Sequence, residues 1–342
     1  MNISRAAIGR LVVALCAGVA ITPAAAQDFY RGKTLTILVG FSPGGGFDIN
    51  ARVLARHIGH HIPGNPNVVV QNMPGAGSLT AIHYMDLTAP KDGTVIDIFN
   101  FGNIGESRLN PDKIKLDFRK FNWIGSISQD LTVCYVWHAM GVKTLAELQK
   151  VSRVHMGLTG MGSSSDTNQR ILKNIFKVPV QQVAGYPGSA EQRIAIERRE
   201  LDGDCGAWSS IPLEWIEGHK IVPVIRSGPI FAPDMPRDIP YSVDIAPSER
   251  ERQVLSLLLA SAQVGRPFIA SQAVPLERIR ILRDAFNATV KDPQFIAEAE
   301  KLRLPISPKT GEEALKVVED IYATPDDIVQ AARKIADDTQ KN

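Results

Sequence analysis

Along most of the chain, short β-rich apolar runs alternate with stretches whose apolar residues recur every three or four positions. The runs at 35–39, 68–70, 94–99, 123–127 and 131–137 read as strands, and so do 154–158, 181–184 and 221–225. Ile49, Val53, Leu54 and Ile58 follow the first strand at helical spacing, and Leu79, Ile82 and Met85 follow the second. From Pro275 onward the pattern is mainly helical, over 276–290, 293–302, 311–323 and 325–338. Thr144 with Glu147 predicts a capping box, and Ser189 with Gln192 another that opens a helix over 190–200. Alternating strand and helix implies an α/β fold with largely parallel sheets. No low-complexity linker divides the chain, so two lobes joined by crossing strands are expected.

An internal echo is the most informative feature. Gly40-Phe-Ser-Pro-Gly-Gly-Gly46 leads from the first strand to Asp48-Ile-Asn50-Ala-Arg52-Val-Leu54. In the second half, Gly157-Leu158 leads through Thr-Gly-Met-Gly-Ser-Ser-Ser165 to Asp166-Thr-Asn168-Gln-Arg170-Ile-Leu172. Both helices open on D-x-N-x-R-x-L, 118 residues apart, and coincidence between two ordinary strand-to-helix turns is the competing reading. Small-residue loops at helix starts bind anions, because the first N–H groups lack partners and the helix dipole is positive there. Asn72-Met-Pro-Gly75-Ala-Gly77-Ser78 and Gly185-Tyr-Pro-Gly188-Ser189 add two more such starts, giving two in each half.

The first 26 residues carry Arg5 and Arg10, an apolar run over 11–21 and the small residues Ala24 and Ala26. That order predicts an export signal cleaved after Ala26, and hence a periplasmic protein. The remaining 316 residues would carry 36 basic and 36 acidic side chains, a net charge of zero. Such a balance argues against nucleic acid or an anionic membrane as partner. Cys134 and Cys205 would then remain, read as two buried thiols, with one disulfide as the alternative.

Catalytic and metal signatures are missing. The first loop has no Lys-Ser/Thr of a P-loop and no G-x-G-x-x-G, and Gly160-Met-Gly162-Ser163 is not a nucleophile elbow. His57, His60 and His61 sit near a helix end where cationic histidine is favourable without a metal. No catalytic residue, metal site or cofactor is expected.

Taken in order, Phe41-Ser-Pro-Gly-Gly-Gly-Phe-Asp48, Val70-Gln-Asn72-Met-Pro-Gly-Ala-Gly77, Ala89-Pro-Lys-Asp-Gly93, Val142-Lys-Thr-Leu-Ala-Glu-Leu148 and Pro267-Phe-Ile-Ala270 form a collinear set. The set resembles the periplasmic substrate-binding proteins of tripartite tricarboxylate transporters, the Bug/TctC-like family. That resemblance implies two α/β lobes of the type II periplasmic-binding-protein (Venus-flytrap) architecture, closing on a carboxylate without catalysis or cofactor. It implies a monomer that delivers its ligand to membrane permease subunits. Lobe one would comprise 27–130 and the helical return 263–342, with lobe two at 131–262. The chain departs from the common pattern at Phe47, at Gly203-Asp-Cys-Gly-Ala-Trp208 and in lacking a histidine within 157–167, so ligand identity is not inherited.

In this reading, backbone groups of Ser42, Gly44, Gly45, Gly46, Ala76, Gly77 and Ser78 hold the ligand from lobe one. Ser163, Ser164, Ser165, Tyr186 and Gly188 close from lobe two. Asp48 and its counterpart Asp166 stand at the helix starts, Asp48 as a loop-fixing cap, while Phe47 and Tyr186 offer apolar walls. The cleft loops carry no Lys or Arg, so recognition by backbone N–H groups is expected. Two other classes remain open: a periplasmic hydrolase or isomerase of small acids, and a ligand sensor for a signalling receptor.

Overall fold

The computed structural model describes residues 29–337, and the expected export segment lies outside them. One sheet contains β1 (Thr34–Val39), β2 (Asn67–Asn72), β3 (Val95–Ile98), β4 (Asn122–Ser126), β10 (Pro267–Ala270) and β11 (Lys309–Thr310). Its order is β11-β4-β10-β3-β1-β2. The other contains β5 (Thr132–Trp137), β6 (Val154–Leu158), β7 (Val180–Ala184), β8 (Gly203–Ala207) and β9 (Ile221–Arg226), ordered β7-β6-β8-β5-β9. The helices are α1 (Gly46–His61), α2 (Leu79–His83), α3 (Gly102–Leu109), α4 (Leu145–Leu148), α5 (Ser164–Asn174) and α6 (Ser189–Glu197). They continue with α7 (Leu213–Glu217), α8 (Glu249–Leu259), α9 (Leu276–Thr289), α10 (Pro293–Lys301), α11 (Gly311–Tyr322) and α12 (Asp326–Asp337).

Each sheet is covered on both faces, which is why its strands read as apolar runs rather than strict alternations. In β1, Leu35, Ile37 and Val39 pack with Leu54, Ile58, Leu282 and Phe286, while Leu38 points the other way to Phe99, Trp123 and Val318. In β5, Cys134 and Val136 meet Ile171 and Leu172, and Val133 and Tyr135 meet Ile196, Trp208 and Trp215.

Both sheets are mixed. β1 runs parallel to β2 and β3, and β6 runs parallel to β7 and β8. Antiparallel pairing comes with β5 and β10, the strands that carry the chain into each sheet from the other lobe, and with short β11. A strand arriving directly from the other lobe has no helical crossover to turn it parallel. The chain crosses through 127–131 and returns ahead of β10. Helix α12 packs on α8 and α5, so the C-terminal stretch also touches the second lobe.

The cysteine expectation is corrected. Cys134 and Cys205 face each other in register on β5 and β8, with Cα atoms 4.0 Å apart, and form a disulfide. Directly opposed antiparallel positions put both side chains on one face, a relationship the 71-residue separation does not disclose. The predicted cap at α6 is also replaced. Gly188 is the N-cap with no side-chain bond, so Ser189 is the first helical residue.

Candidate ligand-binding cleft

The sequence echo corresponds to one structural device used twice. Asp48 Oδ2 accepts from the Gly44 N–H at 2.8 Å, and Asp166 Oδ2 accepts from the Gly162 N–H at 2.7 Å. Asn50 and Asn168 each donate to the carbonyl four residues back, on Gly46 and Ser164, at 2.8 Å. Arg52 and Arg170 pair with the aspartates at 2.9 and 3.1 Å. The following strand completes each unit, through Asn72 on Asp48 and Gln182 on Asp166. Burial pushes the Asp48 carboxyl up, but its bonds from Arg52, Gly44 and Asn72 outweigh this and hold it below the ordinary carboxylate range. Both aspartates are therefore spent on fixing their loops.

The two lobes meet along two seams. At the first, Ser42 donates its backbone N–H to Pro187 O at 3.1 Å and its hydroxyl to Glu191 at 2.8 Å. Arg193 reaches across to Gly44 O at 3.1 Å. Gly188 is required by this approach, since a Cβ there would stand 2.2 Å from Ser42 Oγ. At the second seam, Gly77 lies against Ser163, Ser164 N–H donates to Asn100 Oδ1 at 3.1 Å, and buried Glu106 pairs with buried Arg170 at 2.8 Å. Ser78 is fully buried, with its hydroxyl accepting from Asn100 N–H and Asn103 Nδ2.

Between the seams lies a small cavity, with about 60 Å³ of room for the centres of water-sized atoms. Three helix N-termini border it: Gly45, Gly46 and Phe47 at α1, Ser164 and Ser165 at α5, and Ser189 at α6. Each adds partial positive charge. Helices α1 and α6, which have no side-chain cap, also present first-turn N–H groups, whereas at α5 the Ser164 and Asp166 N–H groups are taken by Asn100 and Ser163. Ser42, Gly44, Asp48, Ala76, Gly77, Ser78, Ser163, Asp166, Tyr186 and Gly188 do not line it. Those at the seams hold the lobes together instead. Tyr186 packs, partly buried, beside the cluster of Trp208 and Trp215.

Contrary to the expectation of a cleft without basic groups, Arg266 is in the cavity wall. It is 3% exposed, its Nη1 lies 2.5 Å from Asp130 Oδ2, and its guanidinium carbon is 4.7 Å from the centre of the Phe47 ring. The other terminal nitrogen faces α1, for a Cβ on Gly46 would stand 3.4 Å from it. An arginine before a strand proline carries no helix-start pattern, so sequence reading passed over it. The loop's left-handed residue is also Gly44, with φ +83°, whereas Gly45 has φ −87°.

Asp130, Asp204, Gln192, Asn100, Thr159 and Ser210 complete the polar lining, and the sequence reading assigned none of them a ligand contact. Gln192 is 2% exposed and its Nε2 has no hydrogen-bond partner. Asp204 is buried, accepts the Cys205 N–H at 2.7 Å and has its acidity shifted to about 7. Burial raises it, with the Cys205 N–H and the nearby Arg193 charge opposing only in part. The histidines lie elsewhere: His57 and His61 bond Glu298 and Asp292 on α10. Among the described residues no group of three or more His, Cys, Asp or Glu is placed to hold a metal ion.

Two α/β lobes with paired crossings and a shared cavity define the two-lobed periplasmic-binding-protein architecture. Solved structures agree: periplasmic binding protein BugD aligns with TM-score 0.72 at 18% identity, over 90% of this chain and 98% of BugD. MatC from Rhodopseudomonas palustris, solved with malate, aligns with TM-score 0.71 at 17% identity, over 87% of this chain and 99% of its own. An R. palustris protein solved with adipate gives TM-score 0.68 at 17% identity, over 88% and 97%. At such identities the likeness is one of fold. In sequence, the chain is 24% identical over 318 residues to a UPF0065 protein of Agrobacterium vitis, covering 87% of this chain and 90% of that one. No protein-family model matches. The resemblance to Bug/TctC-like binding proteins thus extends over nearly the whole chain, in sequence and in fold.

Proposed function

We propose that this protein is a periplasmic solute-binding protein that captures a small carboxylic acid between its lobes and delivers it to a tripartite tricarboxylate-type permease. One observation carries the reading: Arg266 and three helix N-termini converge on a single cavity between the lobes. A carboxylate placed there would meet a fixed guanidinium, the uncapped N–H groups of α1 and α6, and hydroxyls of Ser164, Ser165 and Ser189. Malate and adipate in two proteins of the same fold support the class of ligand. The cavity lining offers neither histidine nor lysine beside a serine, which favours capture and release over hydrolysis or isomerisation.

A thermal-shift screen of carboxylic acids on the purified protein tests this. An acid at about 100 times its dissociation constant should add about 2.7 kcal/mol of stability and raise the midpoint visibly. A flat response to every acid, with shifts from neutral sugars or cationic amines, would replace the carboxylate reading.

A further inference from the structure

Beside the small cavity runs a larger groove of about 540 Å³, and the two share Ala207 and Arg266 as walls. Its lining is mostly hydrocarbon. Leu213, Ile230 and Phe231 come from the second lobe, and Leu304, Pro305 and Ile306 from the first. Leu213 and Ile230, both on the second lobe, are 42% and 44% exposed, a cost for large apolar side chains left facing an open groove. Two of the charges at its rim are paired with each other: Asp234 accepts from Trp208 Nε1 at 2.9 Å and forms an ion pair with Arg303, beside Glu300.

We propose that this groove is a second compartment of the binding site and that the ligand is an amphipathic monocarboxylate, its head on Arg266 and its hydrocarbon body in the groove. The proposal rests on the carboxylate reading above and deepens it. The smaller cavity has room for little more than a head group, whereas the groove has the volume of a small-molecule pocket. Arg266 is the cation common to both, and it fixes where the carboxylate goes. At the far end Asp234 and Glu300 flank Arg303, so a second carboxylate would meet two like charges there and diacids gain nothing. A chain of methylenes, by contrast, would leave water for an apolar wall at each step.

Calorimetric titration with butanoate, hexanoate and octanoate, on the wild type and on Ile230→Glu, tests this. Ile230 is exposed and lies outside the smaller cavity, so the variant should fold and keep the head-group site. Affinity should rise about fourfold per added methylene in the wild type. In Ile230→Glu, octanoate should weaken at least about tenfold while butanoate is unchanged. Measurable binding that does not vary with chain length, or octanoate affinity untouched by Ile230→Glu, would overturn the groove while leaving the cleft reading intact. Failure of every acid, diacids included, would overturn both.

Discussion

Asp130 and Arg266 form a buried ion pair, 2.5 Å between Oδ2 and Nη1, that joins the two segments by which the chain passes between lobes. Asp130 lies on the outward crossing and Arg266 on the return. The backbone repeats the link, through Asp130 N–H to Ala262 O at 2.8 Å and Ile127 N–H to Arg266 O at 3.1 Å. The group proposed to meet the ligand is thus anchored at the hinge. Removing one partner leaves the other charged and buried, so Asp130→Ala should cost about 3–5 kcal/mol in urea unfolding. Asp130→Ala/Arg266→Met should recover much of that loss. A single variant within about 0.5 kcal/mol of wild type would mean the pair carries no structural charge.

Glu106 and Arg170 should act on closure rather than on the ligand, since they lie at a seam outside the cavity lining. Glu106→Gln removes a charge-assisted bond made only when the lobes meet. Ligand affinity should fall about tenfold, for a loss near 1.4 kcal/mol. X-ray scattering of the unliganded variant should show a larger radius of gyration than wild type. Unchanged affinity and radius would assign the pair to other work.

Reducing the disulfide between Cys134 and Cys205, or replacing both residues with Ala, should lower unfolding stability by about 2–4 kcal/mol, since it closes a long loop. Chemical denaturation with and without reductant measures the loss. The bonded strands form the middle of the second sheet, so the second lobe itself should soften.

Asp204 gives the site a pH dependence whose sign is fixed by burial. Its folded value, about 7, lies above the ordinary range near 4. The stability contributed by its neutral form is complete below about pH 4 and is lost as pH rises to about 7, at no more than ~1.4 kcal/mol per unit. Asp204→Asn should remove its share of that decline in denaturation experiments and leave the part due to Asp97, whose buried carboxyl is likewise pushed up. Binding follows the same sign. Tyr135 opposite it and Arg193 on α6 face the carboxyl, and Asp130 and Arg266 share its cavity. A neutral Asp204 can stand beside an anionic ligand, whereas an ionised one repels it. Affinity should therefore fall between about pH 6 and about pH 8, and stay level in Asp204→Asn.

The loops that fix the cleft were legible because their chemistry is local. Asp48 with Gly44, and Asp166 with Gly162, are four residues apart, and the D-x-N-x-R spacing prints that geometry into the sequence. The main strands and C-terminal helices were legible from apolar period. What escaped depends on distant pairing. β8 contains Gly203, Asp204 and Gly206, which break any strand signal, yet it lies between β6 and β5 in the sheet and carries Asp204 to the cavity. Arg266 meets Asp130 only because two crossings separated by 136 residues run side by side. The loop at 76–78 has the composition of an anion site, but it closes a seam against Ser163 instead.

The account stands most directly on Arg266. Titration calorimetry should compare wild type with Asp130→Asn/Arg266→Gln, which keeps net charge and leaves no unpaired buried charge while removing the guanidinium. With the best-binding acid from the screen, affinity should drop at least about a hundredfold, the loss of a charge-assisted contact of about 3 kcal/mol. Wild-type affinity in that double variant would contradict the claim that the ligand is a carboxylate held at the hinge arginine.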